Sequence, residues 1–411
     1  ENLVRGFQNL MENMKSYDGE VVIRHSRDDY YVVGKTVAAT PGKVVFRNRH
    51  VELLQFAPAT KKVHGTPILM VPAWINKYYI LDLQPHNSIA KYLVEQGFTV
   101  YVTSWKNIAD ISYKDDGLAV YTSEGVMESI KAIREITGCE SVHLMGYCMG
   151  AILCACAIAH LRAQGDTSVK TLSFLAAQLD FSDSGDLQSL IDESQISFLE
   201  TLMEEKGYLE KSSLMQTYSL LRPRSLFWDY WVDDFILGKD PHNLDFLFWN
   251  DDGTRMPARL HKDILERLYL EDQLTEGKFI MGDGSSLDLR NIDMDLYSVG
   301  TMNDHIAPWK NVYRIPHFVT SPIKFILASS GHVAGIVNPP ADKKGYFFTD
   351  GTLGKGPDNW KATATRYEGS WWTDWAAWLK ERSAPELDKL PWPPKKEYDL
   401  GPAPGTYVFE K

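Results

Sequence analysis

The 411-residue chain has little cysteine: Cys139, Cys148, Cys154 and Cys156 are the only four, and all lie in one short segment. That clustering is a poor layout for a disulfide framework, and no C-x-x-C or paired His/Cys spacing points to zinc. A reducing cytoplasm suits such a chain. Long apolar runs are missing as well. No stretch reaches the roughly 18 apolar residues that span a bilayer, and no secretory signal is recognisable. The chain opens on Glu1 rather than Met, as a fragment does, and a missing N-terminal region would hide any targeting segment. Positive charge is in deficit, with 43 Lys and Arg against 54 Asp and Glu and a net charge of -11. That balance argues against a broad basic footprint for nucleic acid. Internal repeats and low-complexity tracts are absent.

Aromatic residues are abundant: 12 Trp, 20 Tyr and 17 Phe. A core takes the first share of them, and an apolar tunnel or adhesive surface is the sharper use for the remainder. The length fits one enlarged α/β domain as well as two domains. Residues 1–42 begin with an amphipathic helical pattern in 1–20 and read as a lead-in. "KVVFRNRHVELLQFAP" (43–58) alternates apolar and polar residues around a turn, as a hairpin or long strand does.

A strand–helix rhythm follows. Apolar runs at 66–74, 98–105, 141–147 and 170–181 read as strands, and helical spacing occupies 87–97, 117–138 and 149–165. Asn87 or Ser88 offers a helix cap, and Gly97 a stop. This alternation predicts an α/β fold, a mostly parallel sheet flanked by helices, with a first core part at 43–182. The rhythm stops over 183–290, where helical pieces carry many aromatics, and resumes over 291–382. An inserted, mainly helical cap is the simplest reading, because insertions of that size commonly cover sites. The tail, 383–411, is proline-rich and is expected to be an extended strap without regular structure.

Gly146-Tyr147-Cys148-Met149-Gly150 matches G-x-S-x-G with cysteine in place of serine. It follows a strand signal and opens a helix signal, the context that motif requires. The turn places the nucleophile at the strand end, where the helix N-terminus favours negative charge. The Met149 amide is then positioned for a developing oxyanion, with a second backbone donor expected near Trp74–Ile75, at Ile75. A nucleophile needs a base, and the base needs an orienter. Asp304 follows one later strand and His332 the last, in the order nucleophile, acid, base. Cys139, Cys154 and Cys156 read as small core residues. His305 neighbours Asp304 and is a candidate pocket residue. His143 reads as buried structure and His317 as part of a linker. His25, His50, His64, His86, His160, His242 and His261 fit no triad position.

"VPAWINKYYILDL" (71–83), "GFTVYVTSWKN" (97–107), "GYCMG", "NDHIAPW" (303–309) and "SGHVAGIVNPP" (330–340) together resemble the catalytic domain of polyhydroxyalkanoate synthases, with the C-terminal half most similar to class I. The resemblance covers roughly residues 45–400. It implies an α/β-hydrolase core with a cap, and Cys148, His332 and Asp304 as nucleophile, base and acid. The reaction implied is polymerisation of (R)-3-hydroxyacyl-CoA, 3-hydroxybutyryl-CoA foremost, with release of CoA. CoA arrives on the substrate, so no separate cofactor and no metal are implied. The growing polyester, a homodimer and the polymer granule surface are the implied partners, and the cytoplasm the implied location. Trp74 and Asn76 are candidate substrate-binding residues, and Asn76 and Asp82 can also shape the loop opposite the nucleophile. Two departures stand out. Ala151 follows Gly150 where the family often has a second glycine, and the separate N-terminal domain of class I enzymes is not in the chain.

Sulfur has a chemical reason here. A thiolate attacking a thioester gives another thioester, so loading is close to isoenergetic and the acyl group stays activated until an alcohol attacks it. Serine would form an oxoester at once. A cysteine thioesterase with the same triad is the rival enzyme, and a non-catalytic binder of polyester through an aromatic surface is the rival of another class. Whether His332 or Asp304 activates the elongating hydroxyl is open at this level.

Overall fold

Among the described residues the strand signals become fourteen strands, ten of them in one sheet. The computed structural model describes residues 2–16, 30–185, 188, 191–214, 228–239, 243–388, 392 and 394–411. The strands are β1 Gly42–Arg47, β2 Val51–Phe56, β3 Lys62–Val63, β4 Ile68–Val71, β5 Val100–Trp105, β6 Val142–Tyr147 and β7 Val169–Leu175. They continue as β8 Tyr208–Leu209, β9 Met256–Pro257, β10 Asp295–Thr301, β11 Ile323–Ala328, β12 Tyr346–Thr349, β13 Thr365–Glu368 and β14 Leu387–Asp388. The large sheet runs β1-β2-β5-β4-β6-β7-β10-β11-β12-β13. Its middle, from β5 to β11, is parallel. Antiparallel strands flank it on both sides.

The first helices are α1 Asn2–Ser16, α2 Ile89–Glu95, α3 Leu118–Val120, α4 Glu128–Thr137, α5 Met149–Ala163 and α6 Glu193–Met203. Ser88 is the α2 cap: its hydroxyl accepts from the Lys91 amide at 2.9 Å. A π-helical stretch, Tyr121–Met127, joins α3 to α4. α5 is apolar on every side and therefore lies inside the molecule. Its Cys154 and Cys156 are buried, and Cys139 ahead of β6 is half-buried. Opposite α5, the helix Trp372–Arg382 and the residue before it bury Trp371, Trp372, Trp375 and Trp378 on the other face of the sheet with Leu93 of α2. Much of the aromatic surplus is thus core.

Three local expectations change. The 170–181 strand ends at Leu175, because Ala176 turns to φ 48° while its amide donates to Val299 O at 2.8 Å. The 291–382 segment adds β12 and β13, a short antiparallel pair whose β13 side chains are all exposed. The tail is not featureless. β14 pairs with β3, and Leu400 and Ala403 donate to Val44 O and Gly42 O, each at 2.9 Å. The tail thereby occupies the outer edge of β1, which blunts an edge otherwise open to pairing. Buried Glu52 fixes it further, accepting from the Thr406 amide at 2.8 Å and the Tyr407 amide at 3.0 Å.

Within 183–290 the described residues form helical pieces and a two-stranded β8–β9 ribbon. This insertion leaves the sheet after β7 and returns at β10, the strand paired with β7. No helix among the described residues is long and apolar enough to cross a membrane.

Candidate active site

Tyr147 ends β6 opposite Leu175 of β7. The next residue, Cys148, donates its amide to Leu175 O at 2.9 Å and turns the chain into α5 at φ 53°, ψ −126°. Such a left-sided conformation costs a residue with a Cβ on the order of 1–3 kcal/mol and persists only where its surroundings enforce it. The flanking glycines show the enforcement. A methyl on Gly146 would sit 2.4 Å from Ala151 Cα, and one on Gly150 would sit 2.2 Å from Val71 O. Ala151, the departure from the family pattern, is fully buried against Gly146. Gly150 lets the end of β4 rest on the first turn of α5. Met149 is the first residue of that helix, so its N–H has no helical carbonyl behind it.

Asp304 lies three residues beyond β10, and His332 four beyond β11. His332 Nδ1 and Asp304 Oδ2 are 2.7 Å apart. Thr301 Oγ1 donates to the same oxygen at 2.9 Å, and the amides of Ile306 and Ala307 donate to Oδ1 at 2.9 Å each. All the carboxylate's strong acceptor directions are therefore engaged. Cys148 acts on the same imidazole from close by, favouring its protonated form. Tyr147 packs its ring 5.6 Å from that of His332 and donates its hydroxyl to the His332 carbonyl at 3.5 Å.

Burial pushes the Asp304 carboxyl up, but His332, their hydrogen bond and the two amides outweigh it and hold the group below the ordinary carboxylate range. Burial pushes His332 down, yet Asp304 and Cys148 together raise it well above an ordinary imidazole. The pair is thus arranged to hold a negative carboxylate beside a readily protonated imidazole.

The geometry fits acyl transfer, and comparison with known proteins agrees. A family model described as the N-terminus of poly-beta-hydroxybutyrate polymerase (PhaC) matches residues 1–93, and one described as the alpha/beta hydrolase fold matches residues 66–339. A poly(3-hydroxyalkanoate) polymerase of Methylorubrum extorquens is 40% identical over 100% of this chain and 68% of its own. The poly(3-hydroxyalkanoate) polymerase subunit PhaC of Cupriavidus necator is 37% identical over 100% of this chain and 70% of its own. The chain belongs to the poly(3-hydroxyalkanoate) polymerase family. It spans about two thirds of the length of these curated relatives. Among solved structures, DcsB in complex with its substrate analogue aligns at 16% identity and a TM-score of 0.45, over 72% of this chain and 92% of that one.

In this polymerase the other sequence candidates take distinct places. Trp74 is buried in the core, its ring 5.8 Å from Tyr121, which stacks on Trp105. Asn76 is half-buried and donates to the carbonyls of Trp249 and Asn250 at 3.4 and 3.3 Å. Ile75 lies between them, with its carbonyl accepting from the Thr254 amide at 3.0 Å. His305 is half-buried beside Asp304, on the loop that faces Gly185 at the start of the insertion. Asp82 is buried and accepts from Ser88 Oγ at 2.6 Å, a contact within its own loop.

The remaining histidines are engaged elsewhere or exposed. His50 is held by Glu124 and Asp116 at 2.6 and 3.0 Å, and His143 by Thr171 and Ser383 at 2.7 and 2.9 Å. His160 meets Gln164 and Ser285, His64 packs on Phe98, and His261 is buried. His86 and His317 are exposed. His25 and His242 lie outside the described residues.

Sequence reasoning missed Thr301 and Tyr147, which contact Asp304 and His332. Thr301 sits at spacing i−3 from Asp304, where a hydroxyl at a strand end can reach the carboxylate. The amides of Ile306 and Ala307 were legible in principle, since aspartate commonly bonds backbone two or three residues ahead. Among the described aromatics of the insertion, Phe235, Trp249 and Phe279 are buried and Trp228 is exposed.

Proposed function

We propose that this polymerase joins (R)-3-hydroxyacyl groups from CoA thioesters into polyester through an acyl-Cys148 intermediate. What supports the proposal is the 2.7 Å pair of His332 and Asp304, with Cys148 near enough to raise the imidazole, at the ends of parallel strands in a chain of this family.

His332 accepts the Cys148 thiol proton, and the thiolate attacks the thioester carbonyl. Asp304 fixes Nδ1–H of the imidazole and stabilises its charged form. The amides of Met149 and Ile75 receive the oxyanion. Collapse breaks the bond to the CoA sulfur, which leaves as the thiol with the proton from His332. A hydroxyl of the next monomer or the growing chain then gives its proton to His332 and attacks the acyl-cysteine. The ester forms, and Cys148 leaves and regains the proton. The elongation base is His332 rather than Asp304, because both Asp304 oxygens already accept hydrogen bonds from four partners.

Trp74, Asn76 and His305 are assigned to the substrate side of the site, with the first two acting through the loop they hold. The reaction needs no metal or separate cofactor. A homodimer at the surface of a cytoplasmic polyester granule is the assembly we propose. Exposed Leu3, Val4, Phe7 and Met11 on α1 support contact with an apolar surface.

The test is incubation with (R)-3-hydroxybutyryl-CoA. CoA and chloroform-soluble polymer are expected in matching amounts. CoA with only free 3-hydroxybutyrate would make the chain a thioesterase.

A further inference from the structure

Residues 74–79 follow β4, whose end rests on Gly150 of the nucleophile helix. The insertion grips this stretch at three backbone carbonyls, those of Trp74, Ile75 and Lys77, and at the Tyr79 side chain. Thr254, 1% exposed, donates its hydroxyl to Trp74 O and its amide to Ile75 O at 3.0 Å. Gly253 bridges Asn76 in antiparallel fashion. Trp249 Nε1 donates to Lys77 O at 2.7 Å, and the Tyr79 hydroxyl to Asp252 Oδ2 at 2.8 Å.

The direction of these bonds matters. A trans peptide unit points its C=O and its N–H to opposite sides. The Trp74 carbonyl and the Ile75 N–H belong to the same unit. With that carbonyl held on the Thr254 hydroxyl, the Ile75 N–H points away from the insertion. Oxyanion donors work because they are aimed before charge develops. A loop peptide with no external grip can rotate, and its donor then has no fixed aim.

We propose that Thr254 is a positioning residue for the oxyanion hole: its hydroxyl fixes the Trp74–Ile75 peptide so that the Ile75 N–H faces the acyl oxygen on Cys148. Seating the insertion and completing the hole are then one event. A substrate that displaces residues 249–254 on entry meets a half-built hole, and the thioester is attacked only after they return. This rests on the acyl-transfer reading and on Ile75 as the second donor.

The experiment uses the full chain and (R)-3-hydroxybutyryl-CoA. First-turnover CoA release is followed by rapid quench at saturating substrate, with KM and Tm measured alongside. Thr254→Val removes the hydroxyl at similar size, Thr254→Ala removes it without bulk, and Thr254→Ser keeps it. Loss of an aimed donor typically slows the chemical step about 10²–10³-fold. Val and Ala are therefore expected to slow acylation by about 10²-fold at little-changed KM, and Ser to stay within about threefold of wild type. Ala covers the case in which Val disturbs folding.

Wild-type acylation rates in folded Val or Ala variants overturn the inference. So does a rise in KM with the rate unchanged, or a Ser variant as slow as Ala. A wild-type chain that releases no CoA overturns the acyl-transfer reading itself, and this inference with it.

Discussion

Cys148→Ala is expected to release CoA about 10⁴–10⁶ times more slowly than the wild-type polymerase, the range seen when a covalent nucleophile is removed from a triad that acts as a unit. The loss is chemical rather than structural. Residue 148 is only half-buried, its strained backbone is set by the Gly146 and Gly150 contacts, and alanine tolerates that backbone no worse than cysteine. Tm should therefore change little while CoA release disappears. Cys148→Ser separates two steps. Its hydroxyl stands at the same strand end beside His332, but any acyl-serine is an oxoester. Attack by a monomer hydroxyl then exchanges one ester for another, without the downhill thioester-to-ester step. The variant should acylate slowly and stall, so that CoA release is small and polymer absent. Polymer at the wild-type rate from Cys148→Ala would contradict a covalent role for Cys148, and from Cys148→Ser it would contradict the need for a thioester. CoA release is measured by thiol titration, and polymer by mass after extraction.

Asp304→Asn is expected to lower kcat by about 10⁴, the penalty of presenting the imidazole in the wrong tautomer. The asparagine amide can donate toward His332 Nδ1, which leaves Nε2 carrying the hydrogen and unable to take the Cys148 proton. Stability should change with pH in a definite way. Asp304 is held below the ordinary carboxylate range, so its contribution is in place above the unfolded value, about 4, and is lost as pH falls through the lower folded value. His332 is raised, so its contribution is in place below the unfolded value, about 6.5, and is lost as pH rises through the folded one. Urea midpoints of wild type and Asp304→Asn should thus differ most between about pH 4 and 6.5 and converge on either side. A difference that is constant from acid to alkaline pH would show that the 2.7 Å pair carries no differential charge.

The central sheet was legible in the sequence because each parallel strand is a short apolar run and several helices close at glycine. Gly97 and Gly138 end α2 and α4 in left-handed conformations, where the pattern placed the stops. β12 and β13 escaped because "YFFT" and "TRYE" are only four residues each, and β13, the edge strand, is exposed throughout and carries no burial pattern. The tail escaped for another reason. Proline removes donors but leaves carbonyls and the intervening amides, and Leu400 and Ala403 use theirs on β1 more than 350 residues away in sequence.

The triad candidates were visible because nucleophile, acid and base each follow a strand, and parallel strands gather their ends. Thr254 was not. It grips backbone carbonyls, which every residue has, so neither its own identity nor that of Trp74 and Ile75 announces the contact. The same holds for Thr301, whose role depends on where the chain turns after β10.

Peptide mapping of a quenched reaction is the most direct test of the central claim, that a sulfur atom stores the acyl group between CoA and the hydroxyl. Wild-type chain is mixed with (R)-3-hydroxybutyryl-CoA, stopped in acid within the first turnover, digested and weighed. A hydroxybutyryl adduct on the peptide containing Cys148, removed by neutral hydroxylamine and absent from Cys148→Ala, is the predicted result. CoA released in full with no adduct at Cys148, or with the adduct on another residue, contradicts it.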